Sequence, residues 1–292
     1  MESRSKCQKL SEEVKLKEAE DRINNLPRCI VGHILSFLPT KYAVGTSILS
    51  TKWKHMWTSI RNLDLDDILF LSSANRNGDQ WKISFMTSGL LPADLFTCNQ
   101  LVVQKLGYNR VLNVPKLVCV QSLKTLLLGS VKFRDDESAK RLLSGCPVLE
   151  VLALQQCGGK KVSVLSISAP VLKGLIVSYP VPKNSTLKVI GFCDKLPVFH
   201  NLTSLELGIN RDDAWELLGG ILESSPNLRT LVFVEGLLQE YHFYEQDWDP
   251  PDRVPTCLLE SLVVIEMRKL EGKECELNMV KYFLNNVKFL RR

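Results

Sequence analysis

"LKTLLL", Leu123 to Leu128, carries leucine at its first, fourth and sixth places. "LEVLAL" at Leu149/Leu152/Leu154 and "LTSLEL" at Leu202/Leu205/Leu207 repeat that spacing without a mismatch. Looser copies stand at Leu172/Leu175/Val177, Leu228/Leu231/Phe233 and Leu259/Leu262/Val264, and Leu101/Gln104/Leu106 places an amide in the second slot. Their starts are 22, 26, 23, 30, 26 and 31 residues apart. The last two template residues alternate with their neighbours, which is the pattern of a short strand with one face turned to a core. A unit of this length cannot bury that face alone, so repeated units must stack on one another.

The spacing is that of leucine-rich repeats in an irregular form. Returns to the next strand are helical in "DDESAKRLLSGCP" from Asp135 and "DDAWELLGGILESSPN" from Asp212, where an acid pair opens a helix and Gly or Ser plus Pro closes it. Strand, helix and strand in this order predict an α/β solenoid, a parallel sheet curved into a horseshoe. Outward positions at the strand centres read Lys105, Leu127, Ala153, Ile176, Glu206, Val232 and Val263. From this largely apolar column, Leu127, Ile176, Glu206, Val232 and Val263 are the expected contacts for a protein target.

Composition narrows the function further. The 292 residues are 45% apolar and 24% charged, and the formal charge of +5 is confined to one end. Residues 1 to 61 hold 11 Lys/Arg against 6 Asp/Glu, which leaves the remainder neutral and argues against a broad nucleic-acid surface. Nine cysteines without CxxC or metal-finger spacing read as free, mostly buried thiols in a reducing compartment, and no metal or cofactor is expected. No apolar run reaches membrane-spanning length, so neither membrane nor secretion is expected, and the Asn184 and Asn201 sequons read as coincidental. The expected location is cytoplasmic or nuclear.

Catalytic motifs are missing: there is no GxSxG, P-loop, GxGxxG after a strand, or HExxH. "CGGKK" at Cys157 reads as a loop between repeats. His33, His55, His200 and His242 are scattered, and a dyad of Cys257 or Cys275 with His242 has no motif around either thiol.

The amino-terminal "LPRCIVGHILSFLPT", Leu26 to Thr40, is richer in apolar surface than its length requires. At helical spacing Leu26, Ile30, Ile34 and Leu38 form one stripe, and Pro27, Val31 and Leu35 form a second. A first helix is predicted from Pro27 to Phe37, stopped by Pro39. A second runs from Lys41 to Leu49, weakened by Gly45. A third, capped by Ser50 or Thr51, carries Trp53 and Trp57 at i, i+4. Some 40 residues seldom enclose a sufficient core, so part of this surface awaits another protein.

The stretch "DRINNLPRCIVGHILSFLPTKYAVGTSILSTKWKHMWTSIRNLDLDD", 21–67, resembles the F-box of plant F-box/leucine-rich-repeat proteins. It departs at Arg28, where that family has an acid, and at Gly32 and Gly45. The C-terminal stretch resembles the FBD region that closes such proteins, through Trp248, Pro250, Pro251, Val254, Pro255, Cys257, "LLESL", Gly272, Tyr282 and Leu284. The resemblance implies a tail (1–20), an F-box (21–67), a link or degenerate repeat (68–94) shorter than the family's, leucine-rich repeats (95–246), and an FBD cap (247–292) also shorter than the family's. It further implies the substrate-recognition subunit of an SCF-type E3 ubiquitin ligase, a non-catalytic adaptor. Leu26, Pro27, Ile30, Ile34, Leu38, Leu49, Trp53 and Trp57 would meet a Skp-type adaptor and, through it, a cullin. The alternative is a leucine-rich-repeat binding module outside any ligase, its F-box weakened by Arg28, Gly32 and Gly45.

Overall fold

The computed structural model describes residues 25–38, 40–51, 53–65, 93–107, 111–157, 167, 169–179, 197–209, 214–234, 253–272 and 274–289. The expected tail, 68–92 of the link, Gly158–Lys161 of "CGGKK", Asn184, Asp212, Asp213, His242, Trp248, Pro250 and Pro251 lie outside them, as do the side chains of His55 and Cys275. The chain divides into two compact units, Met1–Asp64 and Leu65–Arg292.

In the first unit, helix α1 (Arg28–Ser36) starts after Pro27 and ends at Phe37, close to the predicted span. Helix α2 (Thr40–Gly45) is shorter than predicted and tightens into a 3-10 turn at Thr46–Ile48. Glycine propagates an α-helix poorly, and the Thr46 hydroxyl donates to the Ala43 carbonyl at 2.7 Å where the α-helix stops. The predicted third α-helix is instead a 3-10 helix, Trp53–Ser59. Trp53, Met56 and Trp57 of this segment are buried, as is Ile60 just after it. Helix α1 packs on this segment, and a Cβ at Gly32 would stand 3.2 Å from Ser59 Oγ, so the glycine permits the close approach. The short strand β1 (Asn62–Leu65) is tied to α2 where Asp64 N donates to Thr40 Oγ1 at 3.0 Å.

The second unit is mixed α/β around a mostly parallel sheet. Its described strands are β2 (Val103–Gly107), β4 (Thr125–Gly129), β6 (Val151–Gln155), β7 (Gly174–Tyr179), β8 (Ser204–Ile209), β9 (Thr230–Phe233) and β10 (Val264–Met267), adjacent in that order. A two-stranded parallel ribbon, β3 (Val111–Leu112) with β5 (Lys132–Phe133), sits apart from that sheet. Helix α3 (Asp136–Ser144) follows β5, and α4 (Ala214–Glu223) follows β8. Both were predicted, and α3 is capped by Asp135, whose carboxylate accepts from Ser138 N at 2.7 Å. Helices α5 (Thr256–Glu260) and α6 (Glu274–Asn286) flank β10.

Strand register stacks the template residues in rows. Gln104, Leu126, Leu152, Leu175, Leu205, Leu231 and Ile265 are successive cross-strand neighbours, and so are Leu106, Leu128, Leu154, Val177, Leu207, Phe233 and Met267. Six template copies thus stand where the spacing puts them. The seventh is corrected by three residues, from Leu259/Leu262/Val264 to Leu262/Ile265/Met267. Two recurring bonds fix it. At each strand start one carbonyl accepts two consecutive N–H groups: Thr203 O takes Arg229 and Thr230, and Arg229 O takes Val263 and Val264. In three units the residue before the first leucine also donates to a carbonyl of the preceding unit: Asn201 to Pro170 O, Asn227 to His200 O and Ser261 to Pro226 O. Leu259 belongs to α5 instead.

Two outcomes follow from this packing. Gln104 is buried in the leucine row with its Nε2 unpartnered among the described residues, a burden of about 1–3 kcal/mol for a buried donor. Gln104→Leu is therefore expected to raise the urea midpoint of unfolding, and a lower midpoint would show that the amide is satisfied. Glu150 accepts from Lys173 at 2.8 Å and pairs with Lys124 at 2.9 Å, crossing three repeats. These lysines hold its carboxyl down from 4.5 to about 2. A depressed carboxylate stabilises the fold above its unfolded value, and that contribution disappears as pH falls from 4.5 through about 2. Acid titration of stability should be shallower in Glu150→Gln across that window.

Candidate functional site

Helix α1 separates its two apolar stripes by environment. Val31 and Leu35 are buried against the unit's interior, while Ile30 and Ile34 are 45% and 42% exposed and Leu38 is exposed beside them. Pro27 is also exposed and Leu26 half-buried. The outward stripe is thus one continuous row of large apolar groups at i, i+4 spacing. Leu49 is exposed in the turn after the 3-10 segment, whereas Trp53 and Trp57 are buried and form part of the floor under α1.

Four exposed groups stand outside the expected set: Phe37, Tyr42, Val44 and Ile48, the last 88% exposed. Phe37 stacks edge-to-face on His33 at 4.8 Å. Their signal was present as large apolar residues in a short unit, but a single helical stripe does not reach across the turns that carry them. The N-terminus of α1 has neither an acid in its first turn nor a side-chain cap, and the Pro27 carbonyl accepts from Ile30 N and Val31 N at 3.0 and 3.1 Å.

On the sheet, Lys105, Leu127, Ala153, Ile176, Glu206 and Val232 are direct cross-strand neighbours, one per strand. The next member is Glu266, paired with Val232, and not Val263, which stands at the strand's entry where Arg229 stands one repeat earlier. The three-residue shift in the seventh copy causes this correction. Ala153 and Val232 are buried; Lys105, Leu127, Ile176 and Glu206 are half-buried; Glu266 is exposed. Glu266 accepts from Arg268 Nε at 2.8 Å, which lowers the carboxyl and raises the guanidinium. An apolar row interrupted by carboxylates can hold another protein's side chains through burial and charge.

Elsewhere the chemistry is quiet. Burial pushes the Cys146 thiol up to about 12 and those of Cys157 and Cys257 up to about 11, so all three are thiols, not thiolates, near neutral pH. Among the described residues, no His, Cys, Asp and Glu cluster could hold a metal ion, and no helix is long and apolar enough to cross a membrane.

Comparison with known proteins bears on the same segments. Residues 23–65 match the F-box domain, 65–190 match the LRR repeats of FBD-associated F-box protein At5g56370, and 249–292 match FBD. FBD-associated F-box protein At5g38590 of Arabidopsis thaliana is 26% identical over 379 aligned positions, covering 93% of this chain and 92% of that protein. F-box/FBD/LRR-repeat protein At3g52680 of the same plant is 26% identical, covering 94% and 84%. The 379 positions exceed the 292 residues of this chain, so that relative carries segments this chain lacks. The chain thus carries F-box, repeats and FBD in the order that those plant relatives' names describe, and it is similar to these F-box/FBD/LRR-repeat proteins over most of its length.

Proposed function

We propose that this chain is the non-catalytic substrate-recognition subunit of an SCF-type E3 ubiquitin ligase, working in the cytoplasm or nucleus. The F-box, 21–67, docks on a Skp-type adaptor that joins it to a cullin. The repeats, 95–246, stack as a horseshoe-shaped solenoid and hold a protein target, with 68–94 as the link and 247–292 as the terminal cap. The work done is proximity: a target held near a transferring enzyme reacts as if at high local concentration.

The observation that carries this reading is the outward stripe of α1. Leu26, Pro27, Ile30, Ile34 and Leu38 form an apolar row on a unit whose own interior is already filled by Val31, Leu35, Trp53 and Trp57. Contiguous exposed apolar surface of this kind marks a protein interface. Leu49, with Phe37, Tyr42 and Ile48, widens it. Trp53 and Trp57 act from beneath by holding α1 in place. The target side is carried by Leu127, Ile176, Glu206 and Val232, with Glu266 at the position first assigned to Val263.

Co-expression with a Skp-type adaptor tests the docking. Wild type should co-purify with the adaptor, while Ile34→Lys and the double change Leu26→Ala, Pro27→Ala should lose it. Stability separates docking from folding: surface changes such as Ile34→Lys shift it by about 0.5 kcal/mol or less. Leu35→Ala, in the buried stripe, should cost about 2–5 kcal/mol in denaturant titration. Absence of association in the wild type would instead support a repeat protein that works outside any ligase.

A further inference from the structure

From the entry of β6 to β10 the described sheet carries three carboxylates, Glu150, Glu206 and Glu266, and the chain pairs two of them itself. Glu150 accepts from Lys173 and pairs with Lys124, and Glu266 accepts from Arg268 Nε. Glu206, in the middle of β8, makes no side-chain hydrogen bond or ion pair among the described residues. It is also half-buried, with Ile176 and Val232 directly beside it on the neighbouring strands. A carboxylate partly withdrawn from water and left without a cation carries a cost that a cation would relieve.

The neighbouring strands supply no such cation. The positions that share its face on β7, β8 and β9, among them Ser178, Ser204 and Thr230, are uncharged. Arg268 feels the Glu206 charge, but its Nε is committed to Glu266 at 2.8 Å, two strands away. On the other side of Ile176 lies Ala153, flanked in register by Leu127 and Ile176. Its methyl is shorter than the side chains on either hand, so the outward row dips there. Ala153 and Glu206 are two strands apart, which is about 9.6 Å at about 4.8 Å per strand and matches about three residues of extended chain.

Resting on the reading that the outward face of the repeats holds the target, we infer that the target is recognised through an extended segment in which a lysine or arginine stands three residues from a large aliphatic or aromatic side chain. The segment runs across the strands. Its cation pairs with Glu206, the methylene stem passes between Ile176 and Val232, and the apolar side chain settles in the dip over Ala153. Lysine and arginine combine a long apolar stem with a charged head, which is what a carboxylate walled by aliphatic side chains can hold. An acidic segment meets like charge at the same place and is rejected.

Selection of a displayed random-peptide library on the full chain tests this. Peptides enriched by wild type should carry Lys or Arg three residues from a large apolar residue, and Glu206→Lys should enrich Asp or Glu at the basic place. In fluorescence anisotropy Glu206→Gln, which keeps the side chain's size, should bind the best wild-type peptide about tenfold more weakly. Circular dichroism verifies that each variant is folded. Enriched peptides that lose binding in Ile176→Asp yet carry no basic residue, or that bind wild type and Glu206→Gln equally, would overturn the inference while leaving the outward face as the target site. Peptides indifferent to both Ile176→Asp and Glu206→Lys, or no enrichment at all, would overturn that reading of the face and the inference with it.

Discussion

Each strand of this protein presents a leucine face that its own unit cannot cover, and the architecture of the second unit follows from that constraint. The rows from Gln104 to Leu231 and from Leu106 to Phe233 are buried because every strand lends its neighbour a wall. Parallel pairing in sequence order is the arrangement that lets one unit after another do this with short returns. Polar bonds serve the same stacking: Asn201, Asn227 and Ser261 each tie the start of a strand to the carbonyls of the unit before it. At β10 the same two rows are half-buried, at Ile265 and Met267.

The surface of the first unit read here as an interface is a place where that kind of burial runs out. In the first unit, α1 has apolar side chains on more of its circumference than the 3-10 helix beneath it can cover. The middle of the sheet is different: its outward row mixes buried and half-buried residues with carboxylates, which favours selective contact over indiscriminate adhesion.

Much of this was legible in the sequence, because leucine spacing is a direct image of strand alternation. Six of the seven template copies are in register, and helices α1, α3 and α4 lie near their predicted spans. The seventh copy was misplaced because "LLESLVVIEM" supplies an apolar residue in several frames at once, and only backbone bonds from Arg229 O and Ser261 Oγ distinguish them. Trp53 and Trp57, four apart, predict an α-helix over the Trp53–Ser59 segment, and its buried side chains fit that spacing too, so its 3-10 form is not written in the apolar pattern. The surplus of apolar residues in Leu26–Thr40 was readable, but which stripe would face outward was not. That depends on where the 3-10 helix sits and on Gly32 letting it come close.

The central claim is that the outward stripe of α1 is reserved for a foreign protein surface. Amide hydrogen exchange on the full chain, with and without a Skp-type adaptor, tests it most directly. The account predicts slowed exchange confined to the peptides spanning 26–49, with the strand peptides unchanged. Equal exchange in those peptides with and without adaptor, or protection appearing only in the strands, would contradict it.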